Sequence, residues 1–320
     1  MVNQKIDYTG FNNKLNDVFK ILKQGLFEKA LIQLNALFEI DYKHQGIEIG
    51  IKSIRFWLNR MDRIEKLEPG FEKGTYLIKE FDQFINFIDK ENEYSQIIRK
   101  NIQSFIFQTA LTNFLKAKED NKLTIDISLY IQIAECYKVL AKYQKAISHF
   151  ELARKYKKND AYLLSQLADC YYLNGNEKFA KVLFNEALFI DPQSIDLNKI
   201  DADIIHNLLN DIKSNGYDQQ ELLEWIPIYA ICLNVFNVKR ELTKEELNRL
   251  KQETYSLEKE YEIKSNRFPF LVPRLINHYL RLLDNCLYIK KDVFQKKILL
   301  DKIKKMDKTI YDIFVKHNNV

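Results

Sequence analysis

Residues 127–160 read ISLYIQIAECYKVLAKYQKAISHFELARKYKKND, and residues 161–194 read AYLLSQLADCYYLNGNEKFAKVLFNEALFIDPQS. Laid over each other, the two 34-residue blocks agree in register. Tyr130, Ile133, Ala134, Tyr137, Ala141, Ala146, Phe150 and Ala153 recur as Leu164, Leu167, Ala168, Tyr171, Gly175, Ala180, Phe184 and Ala187, with Cys136 above Cys170. The small residues explain the pattern. Ala134 with Ala146, and Ala168 with Ala180, fit where two helices of a hairpin approach closely, and larger side chains there would push the axes apart. Tyr137, Phe150, Tyr171 and Phe184 supply the bulk between hairpins. Gly175 and Asn176 suit a turn with left-handed backbone, and Asp191-Pro192 stops the second helix.

A helical hairpin repeating every 34 residues in this order resembles the tetratricopeptide repeat family, over residues 127–194. Lys158 stands where that pattern usually has proline, and Ala141 where it has glycine. A fainter unit covers 11–44, carried by Gly25, Phe27, Glu28, Lys29, Ala30, Leu34 and Asp41, with Asp17 and Val18 departing from it. The resemblance implies an all-α fold, a right-handed α-solenoid of helical hairpins with additional flanking helices. Its concave face would hold other proteins. By the family's pattern that face presents Ser128, Ile131, Glu135 and Lys138, then Tyr162, Ser165, Asp169 and Tyr172. Of these, Ile131, Glu135, Lys138, Tyr162, Ser165, Asp169 and Tyr172 are the expected contacts. Relatives that clamp a C-terminal carboxylate use Lys, Asn and Arg in such slots. Glu135 and Asp169 would repel an acidic tail and favour a basic or neutral segment, with the tyrosines stacking on it. Flanking helices filling the groove is the competing expectation.

Eight glycines and five prolines among 320 residues argue against a sheet-rich fold. Apolar residues recur at helical spacing elsewhere, as in Ile54, Trp57, Leu58 and Met61, or Leu275, Ile276, Tyr279, Leu282 and Leu283. Five segments follow. Residues 1–44 form a hairpin. Residues 45–126 hold three longer helices, broken near Glu68-Pro69-Gly70 and Glu91-Asn92. The repeats occupy 127–194. Residues 195–240 form a cap with a helix from Asp196 to Ser214. Residues 241–320 open on the capping box Thr243/Glu246 and end in two helices beyond Pro269 and Pro273. Two repeats alone bury too little surface, so the flanking helices are expected to shield their ends.

The net charge is +5, and lysines outnumber arginines 39 to 10. Nucleic-acid readers favour arginine for its planar fork, so nucleic acid is not the expected partner. Abundant Lys, Ile and Asn fit an AT-rich bacterial genome. With Phe268–Arg274 (FPFLVPR), this composition resembles small spirochaete tetratricopeptide proteins, several of which belong to the flagellar motor collar; that likeness implies an envelope-associated assembly. The C-terminal stretch carries Lys290, Lys291, Lys296, Lys297, Lys302, Lys304, Lys305 and Lys308 beside an apolar stripe of Phe294, Ile298, Ile303, Met306 and Ile310. Its alternative use is contact with an anionic membrane or nucleic acid; docking on the core is the commoner fate. Self-association is a further expectation for exposed solenoid faces.

The four cysteines have neither zinc-ligand nor disulfide spacing and read as buried. Scattered histidines (His44, His149, His206, His278, His317) and dispersed glycines offer no metal, phosphate or nucleophile motif. No enzyme activity and no cofactor are expected. With no secretory or membrane-spanning segment read, the expected location is cytoplasmic, at most against the inner face of the membrane.

Overall fold

The computed structural model describes residues 8–88, 92–120, 126–213, 216–238, 241–264, 269–286 and 293–318, and every regular element among them is helical. Phe268, Lys290 and Lys291 lie outside the described residues. The chain divides into two units, residues 1–149 and 150–320. The division falls inside the first 34-residue block, not at the edge of the repeats.

In the first unit, α1 (Tyr8–Leu22) and α2 (Phe27–Phe38) form a hairpin. Gly25 turns it at φ +73°, and a Cβ there would fall 2.2 Å from the Phe105 ring. Glycine is thus needed both for the backbone and for the space. Helices α3 (Gln45–Lys66), α4 (Phe71–Phe87) and α5 (Glu93–Asp120) follow, with breaks where Pro69-Gly70 and Asn92 place them. Their core is aromatic: Trp57 stacks on Phe27 at 6.3 Å and meets Phe84 at 5.7 Å. Arg60 of α3 pairs with the nearly buried Glu80 of α4 at 2.6 Å and lies 3.4 Å over the Phe56 ring. Next come α6 (Ile127–Val139) and α7 (Tyr143–Arg154), the latter belonging to this unit as far as His149. His149 packs on Tyr137 at 5.3 Å.

The second unit continues with α8 (Ala161–Leu173), α9 (Glu177–Ile190), two short 3-10 turns (Pro192–Ser194 and Leu197–Lys199), α10 (Asp203–Lys213) and α11 (Gln219–Cys232). Four helices complete it: α12 (Lys244–Lys264), α13 (Leu271–Asn285), α14 (Val293–Met306) and α15 (Lys308–Asn318).

The sequence register reappears atom by atom. Asp126 caps α6 through the N–H groups of Ser128 and Leu129, and Asp160, 34 residues on, caps α8 through Leu163. After α6, the Lys142 N–H donates to the Tyr137 carbonyl at 2.8 Å; after α8, Asn176 donates to Tyr171 at 2.8 Å. These are the six-to-one bonds of a helix closed by a left-handed residue. Gly175 takes that conformation at φ +84°, and Ala141 takes it at φ +55°. Ala134, Ala146, Ala168 and Ala180 are fully buried.

Three expectations need correction. The helix expected from Asp196 begins only at Asp203, because a 3-10 turn takes Leu197–Lys199, Ile200 is extended, and Asp201 and Ala202 carry no regular structure before α10. The carboxyl end holds three helices beyond α12, not two: Pro273 sits in the first turn of α13, where its missing N–H costs no helical bond, and Asp307 divides α14 from α15. Asp307 does so by accepting the Ile310 N–H at 2.9 Å, an N-cap. The expected C-terminal apolar stripe also splits: Ile303 of α14 and Ile310 of α15 are buried, while Phe294 and Ile298 are exposed. The expected Thr243/Glu246 box is present, with reciprocal bonds of 2.8 and 3.2 Å. All four cysteines are buried, and none forms a disulfide.

Candidate functional site

The expected groove residues divide between the units and are described unit by unit. In the first, Ser128 is exposed, Ile131 and Glu135 are half-buried, and Lys138 is buried. Lys138 is therefore not a surface contact; it closes α6 as part of the interior.

In the second unit the expected face of α8 is met by the protein's own chain. Every residue from Leu163 to Cys170 is buried. Asp169 accepts the backbone N–H of Asp201 at 3.1 Å and of Ala202 at 2.8 Å. Ser165 is fully buried and donates to the Tyr162 carbonyl at 2.8 Å. Tyr162 receives the Lys199 ammonium at 3.2 Å, and Tyr172 interacts with the backbone of Ile204. Burial corrects the assignment of Ser165 and Asp169 as partner contacts: Asp169, with Tyr162 and Tyr172, holds Lys199–Ile204 in place, and Ser165 bonds within its own turn of α8. The carboxylate that the sequence suggested would meet a foreign basic segment instead satisfies two N–H groups that irregular backbone leaves unpaired.

A second polar feature lies on α13. Its apolar residues face the core, and Arg274, His278 and Arg281 occupy successive turns of the opposite face. Each meets a glutamate from a different helix. Arg274 makes a two-pronged pair with Glu224 of α11 at 3.1 and 2.6 Å. Glu253 of α12 stands 3.9 Å from His278, and Arg281 donates to Glu186 of α9 at 2.5 Å. The Arg281 guanidinium lies 4.0 Å over the Phe189 ring, which packs against the His278 ring at 4.8 Å. Burial lowers the His278 pKa below the usual imidazole value, outweighing its bond to the Arg274 carbonyl and nearby Glu253. Along this face a line of cavities remains open between α9 and α12. Sequence reasoning passed over this stripe; its signal was three basic residues at i, i+4 and i+7 in an otherwise apolar helix.

Among the described residues no group of three or more His, Cys, Asp or Glu could hold a metal ion, and no helix is long and apolar enough to cross a membrane. On α14, Val293 and Phe294 are each 76% exposed, and Ile298 40%, beside exposed Lys297, Lys304 and Lys305.

No family model, curated protein or solved structure matches this chain.

Proposed function

We propose that the chain is a non-enzymatic adaptor of the tetratricopeptide type, a scaffold that binds protein partners within a larger assembly. The observation that carries this reading is the two-fold recurrence, 34 residues apart, of the aspartate caps, the left-handed turns and the fully buried alanines. Stacked hairpins of that kind present extended concave surfaces suited to protein contacts. In the repeat itself, Ile131 and Glu135 on α6 are the contacts, since both retain exposure. A cytoplasmic location goes with this proposal. Affinity capture from the native cell with wild-type protein and with Ile131→Asp, Glu135→Lys tests it. Specific proteins lost from the variant support an adaptor working through α6. Capture of no specific protein by either form sinks the reading. Light scattering decides whether a second copy is among the partners.

A second reading rests on α14. Phe294 and Ile298 stand one turn apart beside exposed lysines, the pairing of apolar insertion with positive charge that suits an anionic lipid surface. Co-sedimentation with phosphatidylserine vesicles should then fall with Phe294→Ser and with added salt, since exposed charges are screened over about 8 Å at physiological ionic strength. Equal recovery of wild type and variant removes this reading.

A further inference from the structure

Three cavities line up within the second unit, of about 40, 320 and 660 Å³. The first two share Arg281, and the last two share Phe189 and His278, so they adjoin end to end as a segmented channel. Its floor is the polar face of α13 from Arg274 to Asn285, and its walls are α9 and α12. At a rise of 1.5 Å per residue that floor is roughly 16 Å long, the span of about five residues of extended chain.

The floor is prepared for main-chain groups. Arg281 uses one nitrogen on Glu186, while its Nη1 is buried and meets no acceptor among the described residues, which leaves a donor for an incoming oxygen. A buried donor left unmet is costly, which marks the place where an incoming oxygen gains most. The buried side chains of Asn277 and Asn285 line the same channel, and each amide both donates and accepts. Floor residues recur once per helical turn, about 5.4 Å, close to the roughly 6.7 Å repeat of every second residue in an extended strand. Over the whole lining, floor and walls together, carboxylates outnumber arginines two to one. A partner with acidic side chains would meet like charge, whereas a lysine or arginine would meet Glu246 or Glu253.

We propose that this channel, and not the covered face of α8, binds an extended partner segment of about five residues bearing basic side chains, with a main-chain carbonyl on Arg281. It rests on the adaptor reading given above. Arg281 and the amides hold the backbone, Phe189 supplies an apolar wall, and Glu253 selects charge.

Random ten-residue peptides displayed on phage are selected against the intact protein, and enriched sequences are measured as fluorescein conjugates by anisotropy. Basic peptides should be enriched, and their dissociation constants should rise at least tenfold in Arg281→Met and in Glu253→Lys. Because Arg281 also anchors α9, Glu253→Lys at an exposed position provides the test that does not depend on that packing. Enrichment of acidic peptides, no enrichment, or affinities unchanged in Glu253→Lys would overturn the channel. Peptides that respond to Glu135→Lys instead overturn the channel while leaving the adaptor reading standing. Failure of the capture experiment, by contrast, removes the adaptor reading itself.

Discussion

The Asp169 carboxylate accepts the Ala202 backbone N–H at 2.8 Å from a position with no solvent exposure. A second N–H, from Asp201, reaches both of its oxygens at 3.1 Å. This one side chain fixes the irregular run over α8. Asp169→Ala should cost about 2–4 kcal/mol, because hydrogen bonds to a charged acceptor are lost and the Ala202 N–H is left buried. Asp169→Asn keeps one acceptor oxygen and should lose about half as much. Urea denaturation of both variants checks the order.

Turn chemistry yields a matched pair. Ala141 sits at φ +55° and Gly175 at φ +84°, in equivalent closures of α6 and α8. A left-handed backbone costs a residue with a Cβ roughly 1 kcal/mol more than glycine. Ala141→Gly should therefore raise stability by up to about 1 kcal/mol, an unusual sign for that substitution. Gly175→Ala, with open space around its would-be Cβ, should lower it by a similar amount. Gly25→Ala meets both strain and the Phe105 ring, so its melting temperature should fall furthest of the three.

Arg60 and Glu80 couple α3 to α4 with little solvent around them. Breaking one partner leaves a largely buried charge, so Glu80→Gln and Arg60→Met should each cost about 2–4 kcal/mol. The double variant should cost clearly less than the two single changes together. Additive losses in a double-mutant cycle would show that the pair contributes only packing.

Two groups add to the acid sensitivity of the second unit. Burial lowers the His278 pKa, so the unfolded chain binds its proton first as pH falls. That contribution to stability is complete above the ordinary imidazole value of about 6.5 and is lost as pH drops through the lower folded value. Glu258 is pushed up by burial but pulled further down by bonds from Lys302 at 2.5 Å and Tyr279 at 2.8 Å. Its contribution is present above the usual carboxylate range and disappears below it. Melting temperature measured against pH should fall in two steps, and His278→Gln should remove the upper one.

Much of the helical framework could be read from local chemistry. Pro69-Gly70 and Asn92 broke the long segment where it breaks, and Thr243 with Glu246 opened α12 because both members of that box lie within one turn. The alanines of the repeat found their interior places because close helix approach leaves no alternative. What could not be read depended on distant partners. Asp169 looked like an exposed acid because the N–H groups it serves lie 32 and 33 residues away. Arg281 drew no reading from the sequence, because its glutamate is 95 residues upstream. The end of α14 carries no proline or glycine, only Asp307 as a cap, and a cap inside a charged run gives a weak signal. The expected groove contacts Ser165 and Asp169 failed for the same reason: a repeat register orients a side chain but does not say what covers it.

The three carboxylates gathered on α13 make that helix a keystone for where the protein can be shortened. A chain ending before Leu271 would retain α9 and α11 whole, with Glu186 and Glu224 stripped of their guanidiniums, Glu224 being almost wholly buried. Fragments intended to isolate the repeat region thus have no natural stopping point between α9 and Asn285. Within the second unit, α8 and α9 therefore depend for their folded state on helices more than eighty residues downstream.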